Sequence, residues 1–373
     1  MAVRRIALRA ITALVATAVA VFGYLAAHGD FQRWKDESAL DGACGGLLDR
    51  NVVRSVLGPG SVEAEDEDWG GDGWVAVCKV HVDGGGTAYI RILDTAYAGQ
   101  SPDSLYTGPA GGDALSVPVG HGWTGLFGAD PDPVEADEDL FGADDAEEVT
   151  ASVVLECTEA GSVKGLYVTV ETELDKTLDN PVNRPEFVKI ATSTAAKASK
   201  ARRCDAELGK PVRDLDLPVN EDEYKPLDTA DGTCSGIPTA PGVSIATETA
   251  RGDAPYEVCR LAGADLSKRY VLAAEFGPLA QESFVNYQEF GGEEDLPSPD
   301  VPAHDRDTGG LRSWTTAKCP DGLALFTLLP TSERADERKA TASDPGLAYE
   351  RAALRAFAER SARAHGCSSP VKP

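Results

Sequence analysis

Two stretches of the chain, Cys157 to Cys204 and Cys319 to Cys367, each run from a cysteine through a turn, a short apolar strand and a linker to a helix that ends on a second cysteine. Their cysteine separations nearly match, at 47 and 48 positions. Counting back from the closing cysteine, positions −3, −6, −10 and −13 hold Ala201, Ala198, Thr194 and Ala191 in the first stretch and Ala364, Ser361, Phe357 and Leu354 in the second. Steps of three and four place these side chains on one helical stripe with the cysteine, so the closing thiol is expected to face a strand. The pattern reads as one folding unit used twice and stapled by disulfides.

The chain has eight cysteines: Cys44, Cys78, Cys157, Cys204, Cys234, Cys259, Cys319 and Cys367. No Cys-x-x-Cys pair occurs, which removes zinc-ribbon and thioredoxin-like readings. An even count behind an export segment implies disulfides. The count alone allows 105 pairings, and the repeat narrows them. Aligning Cys78 with Cys259 places Tyr89 opposite Tyr270, each inside an apolar strand. The simplest duplicated pairing is then Cys44 with Cys78, Cys157 with Cys204, Cys234 with Cys259, and Cys319 with Cys367.

An uncharged run at 10–27 follows Arg4, Arg5 and Arg9 and precedes a charged segment. As a helix it is roughly 27 Å long, enough for a membrane anchor. Basic residues before the run and acidic ones after it predict a cytoplasmic segment 1–9, a single membrane pass at 10–27, and the bulk of the chain outside the cell. A cleaved signal peptide, with Leu25-Ala26-Ala27 at the cut, is the rival reading. Gly42-Ala43 before Cys44 hints at lipidation, but the charged segment 28–43 separates that cysteine from the apolar run. With a formal charge of −26, nucleic acid is excluded as a partner, because phosphate binding needs clustered Lys and Arg.

Along the chain, 28–43 reads as a polar stalk, 44–204 as a first domain, 205–233 as an acidic linker, 234–367 as a second domain and 368–373 as a tail. Leu47, Leu48, Val52, Val53, Val56 and Leu57 fall at helical spacing, with Gly58-Pro59-Gly60 as a stop. Strands are expected at 74–80, 88–93, 149–157, 166–170 and 323–329. Glycine and proline dominate 98–128, where Trp123 and Phe127 are the expected anchors, and 130–148 is an acidic loop. Asn183, Pro185 and Glu186 mark a helix start with a capping box. Asp344-Pro345 opens the second helix in the same manner. The fold class expected is α+β: a transmembrane helix, then two tandem repeats of an antiparallel sheet packed by a C-terminal helix.

Asp137, Asp139, Gly142, Asp145 and Glu148 match positions 1, 3, 6, 9 and 12 of a calcium loop. Carboxylates on a tight glycine turn can surround a hard cation, so Ca2+ is the one cofactor the pattern suggests. Phe141 stands where an oxygen ligand belongs, which favours a solvated loop. A second acidic set, Asp66, Asp68 and Asp72, lacks the closing Glu. Trp69 and Trp74 could stack on a sugar ring, or Trp74 could begin a strand and pack. The histidines (His28, His81, His121, His304 and His365) never fall at ligand spacing on one element. The chain carries no Gly-x-Ser-x-Gly, His-Glu-x-x-His or phosphate-cradling glycine loop, and bridged cysteines leave no thiol nucleophile. No catalytic residue is expected.

Cys44-Gly45-Gly46-Leu47-Leu48-Asp49 leading to Val56-Leu57-Gly58, then a strand with a second cysteine and a helix ending in cysteine, resembles the small cell-envelope domains of high-GC Gram-positive bacteria. The chain departs from that pattern in lacking a lipobox. The resemblance implies a secreted or membrane-associated sheet-and-helix domain with a binding or accessory role, and no catalytic residues. The function expected is non-catalytic: recognition of an unknown extracellular ligand or partner protein at the envelope, with a structural spacer or cation-binding role as alternative and an envelope hydrolase last.

Overall fold

A computed structural model describes residues 30–67, 73–98, 114–129, 147–158, 163–220, 222–290, 303–304, 313–320, 322–331 and 346–372. Helices α1 (Asp30–Gly46) and α2 (Arg50–Leu57) open it. Asp49 caps α2 by accepting from the amides of Asn51 and Val52 at 2.9 and 3.2 Å. Gly58 closes it with φ 119°, a conformation open to glycine but strained for a side chain. The segment read from sequence as a stalk is therefore mostly helix. Its Asp36 is buried, taking Gln32 at 2.7 Å and Arg54 at 2.8 Å, and this ion pair ties α1 to α2.

The first large sheet has strands β1 (Val62–Asp66), β2 (Trp74–Val82), β3 (Thr87–Asp94), β5 (Val117–Gly120), β6 (Trp123–Ala129), β7 (Glu147–Glu156) and β8 (Gly165–Leu174), in the order β1-β2-β3-β8-β7-β6-β5. Helix α3 (Arg184–Arg202) lies on β7 and β8. A two-stranded sheet pairs β4 (Ala114–Leu115) with β9 (Val219–Asn220). The second large sheet has β10 (Lys225–Pro226), β11 (Ile245–Glu248), β12 (Tyr256–Ala262), β13 (Lys268–Glu275), β14 (Ala303–His304), β15 (Ser313–Cys319) and β16 (Gly322–Pro330), in the order β10-β11-β12-β13-β16-β15-β14. Helix α4 (Pro278–Phe290) follows β13, and α5 (Gly346–Ala364) covers β15, β16 and β13. All pairings are antiparallel.

The four disulfides are Cys44–Cys78, Cys157–Cys204, Cys234–Cys259 and Cys319–Cys367, the pairing that the repeat suggested, and no cysteine is free. Two of them fasten the C-terminal ends of α3 and α5 to the ends of β7 and β15. The helical stripe holds in its interior, since Ala191, Thr194 and Ala198 and likewise Leu354, Phe357 and Ser361 are buried. It fails at the last step, where Ala201 and Ala364 are exposed, because the helix there has passed the sheet edge. The capping box does not form: Asn183 is itself in the helical region and donates to Thr177 O, while Glu186 pairs with Lys176.

The expected class needs correction. The described residues are mostly β, with three antiparallel sheets and five helices, and no helix among them is long and apolar enough to cross a membrane. The run at 10–27 lies outside the described residues. Each sheet does pack on its own helix, but the two sheets also share a core, and β8 shows how. Leu166, Val168 and Val170 face α3, as their alternation predicts, but Tyr167 on the opposite face is 2% exposed and also buried. It joins Leu93, Leu126 and Val154 of the first sheet with Ala254, Tyr256, Val258, Ala273 and Leu279 of the second in one apolar cluster. The sheets are packed face to face, with α3 and α5 on their outer faces and α4 on the inner face of the second sheet.

Burial pushes the Tyr167 hydroxyl up to about 12, from an ordinary 10.0. A folded value raised above the unfolded one gives stability that is complete below pH 10 and lost as pH climbs toward 12. Tyr167→Phe should therefore lose about 1.4 kcal/mol less than wild type between pH 9 and pH 11 in urea unfolding. Parallel losses in the two proteins would contradict this account of the buried hydroxyl.

Candidate functional site

A buried polar network lies behind the second sheet. Glu257 of β12 has its side chain 2% exposed. Its carboxylate accepts from Ser361 Oγ on α5 and faces His365 Nε2 at 3.2 Å, with Arg251 Nη1 at 3.6 Å. Arg251 is held in turn by the carbonyls of Gly232 and Thr233, each at 3.0 Å. Burying a carboxylate costs several kcal/mol unless partners replace its water, and here an arginine, a hydroxyl and an imidazole do so.

The first sheet lacks this network. Ala76 stands two residues before Cys78, as Glu257 does before Cys259, and Ala198 stands six before Cys204, as Ser361 does before Cys367. A polar insert in only one of two similarly connected sheets contributes little to folding that alanine would not. Such a cost is more often carried where a side chain must be aimed.

The aimed side chain is His365, just past the end of α5. Phe276 stacks on its ring, with centroids 3.7 Å apart. Nε2 faces the Glu257 carboxylate, and Nδ1 has no partner among the described residues. His365 lines a cleft of about 410 Å³ between the two sheets, within the range of small-molecule sites. Trp123, Thr124, Val154 and Glu156 wall one side. Asp253, Pro255, Phe276 and Pro278 wall the other, and Glu207 stands at the rim. Gly125 N donates to Asp253 O at 3.0 Å and pins the two walls together.

Trp123 is fixed by the segment after α3, which sequence reads as an acidic linker. Its indole N–H donates to Lys210 O at 2.9 Å, and Lys210 N donates to His121 O at 2.8 Å. The indole lies against Gly209, where an added Cβ would sit 2.3 Å from the ring. Gly209→Ala is expected to displace Trp123 at a cost of about 1–3 kcal/mol, with a red-shifted fluorescence spectrum. An unshifted spectrum would show that the strap does not hold the indole.

A larger hollow of about 580 Å³ lies beside α1 and α2. Its charges satisfy one another, with Arg54 on Asp36 at 2.8 Å, Arg33 on Glu37 at 3.1 Å and Arg50 on Glu37 at 3.5 Å. It offers a ligand less than the cleft does.

Of the residues singled out from sequence, Asp137, Asp139, Asp145 and Trp69 lie outside the described residues. Glu148 falls in β7, opposite Glu173. Among the described residues no group of three or more His, Cys, Asp or Glu is placed to hold a metal. Asp66 accepts from Cys44 N at 2.6 Å, a structural bond. Trp74 begins β2 and packs against the shared core, and Trp123 and Phe127 are buried anchors. Sequence reading missed Glu257 and Arg251, although setting Ala76 against Glu257 at equal distance from a cysteine would have exposed the substitution. A search of protein-family models, of curated proteins and of solved structures finds no match to this chain.

Proposed function

We propose that this chain is a non-catalytic binding protein of an oxidising compartment outside the cytoplasm, and that it takes a small ligand or a protruding group of an envelope component in the cleft between its sheets. The observation that carries the reading is His365, stacked on Phe276 and hydrogen-bonded to a buried carboxylate, in the lining of a cleft walled by both sheets. Four disulfides and no free thiol suit a chain that folds where thiols are oxidised. The sequence resemblance to cell-envelope domains of high-GC Gram-positive bacteria points to the same surroundings.

A thermal-shift screen of amino acids, amino sugars and short peptides tests it. Ligands should raise the melting temperature in proportion to their occupancy. Thr124→Trp, which fills the mouth of the cleft from an exposed position, should abolish the rise while leaving the free protein's melting temperature unchanged. Ligands that stabilise both proteins equally would place binding elsewhere.

A further inference from the structure

Resting on the cleft reading, we infer that the ligand is an organic cation, an ammonium or amidinium group carried on an apolar or aromatic body. The residues lining the cleft include no lysine and no arginine. Asp253 and Glu207 face it from the two different halves of the chain, and neither side-chain carboxylate has a partner among the described residues. His365 adds a ring nitrogen, Nδ1, that has no partner among the described residues. A site of acceptors calls for a ligand of donors.

The rest of the lining fits the body of such a ligand. Val154, Pro255, Phe276 and Pro278 present carbon rather than hydrogen-bonding groups. An aromatic ring can lie on them while its charged end reaches the rim, an arrangement common in small-molecule sites. The field of the whole chain acts in the same sense, since its charge of −26 draws cations and repels anions.

Phenethylamine and benzamidine are the probes, with phenethyl alcohol and phenylacetate as neutral and anionic counterparts of similar size. Calorimetry on the intact disulfide-bonded protein is expected to show binding of both cations that weakens with added salt, at least about tenfold weaker binding of the alcohol, and none of phenylacetate. Asp253→Asn with Glu207→Gln, both at exposed positions, should weaken the cations about tenfold without lowering the melting temperature. Thr124→Trp should abolish their binding. If the alcohol or phenylacetate binds as tightly as the amine and Thr124→Trp removes it, the cation assignment falls while the cleft reading stands. If the cations bind Thr124→Trp as well as wild type, or bind neither protein, this inference is overturned, and the first of these outcomes overturns the cleft as their site.

Discussion

Glu248→Ala is expected to destabilise the protein by about 3–5 kcal/mol, the range for stripping one partner from a buried charged network. The Glu248 side chain is fully buried. One carboxylate oxygen accepts from the amides of Asp231 and Gly232, each at 3.0 Å, and from Lys225 Nζ at 3.0 Å. The other accepts from Cys234 N at 2.7 Å. Alanine would leave those three amides, which lead into the Cys234–Cys259 disulfide, without an acceptor inside the protein. The hydrogen bond that Lys225 donates to Glu248 also holds its ammonium above its ordinary range. That raised value stabilises the fold below the ordinary lysine range and ceases to do so as pH rises past it. Glu248→Gln keeps an acceptor oxygen, so it should cost clearly less than alanine in urea unfolding at pH 7. Equal losses would mean that the charge, rather than the acceptor count, is what the loop needs.

How far this arrangement could be read from sequence depends on which face of each strand is considered. The faces under the helices are written in plain alternation: Leu166, Val168 and Val170 on β8, and Ile90 and Ile92 on β3, are all buried as expected. The four disulfides follow from the repeated cysteine spacing, which pairs each cysteine with its neighbour in sequence within each half. The faces between the sheets carry a weaker signal. Thr169 and Ser152 are buried there beside Tyr167, and Ala254 and Ala273 contribute little apolar area. Polar and small residues on alternate positions read as a solvent face, so sequence alone presents the buried sheet-to-sheet contact as the outside of a separate unit. Glycine and proline in 98–128 likewise hid β4, β5 and β6, whose anchors Trp123 and Phe127 were visible only as isolated aromatics. The cleft was out of reach for the same reason, since it exists only once the two sheets meet.

That shared core makes the sheets interdependent, and Leu126→Asp is the substitution that shows it most directly. Leu126 of β6 is 3% exposed and belongs to the cluster that contains Tyr256 and Val258 of β12 and Leu279 of α4. Aspartate there loses the transfer and packing energy of the leucine and buries an unpaired carboxylate, for an expected cost of more than about 4 kcal/mol. The loss falls on both sides of the interface. Hydrogen exchange read by mass spectrometry should show β3 and β8 in the first sheet and β12 and β13 in the second losing protection together, because opening one sheet removes a wall from the other. Two independent domains would behave otherwise: β12 and β13 would keep wild-type protection while the first sheet opened. The same variant should also lose any ligand held in the cleft, whose walls come from both sheets and meet at the Gly125 to Asp253 hydrogen bond, one residue from Leu126.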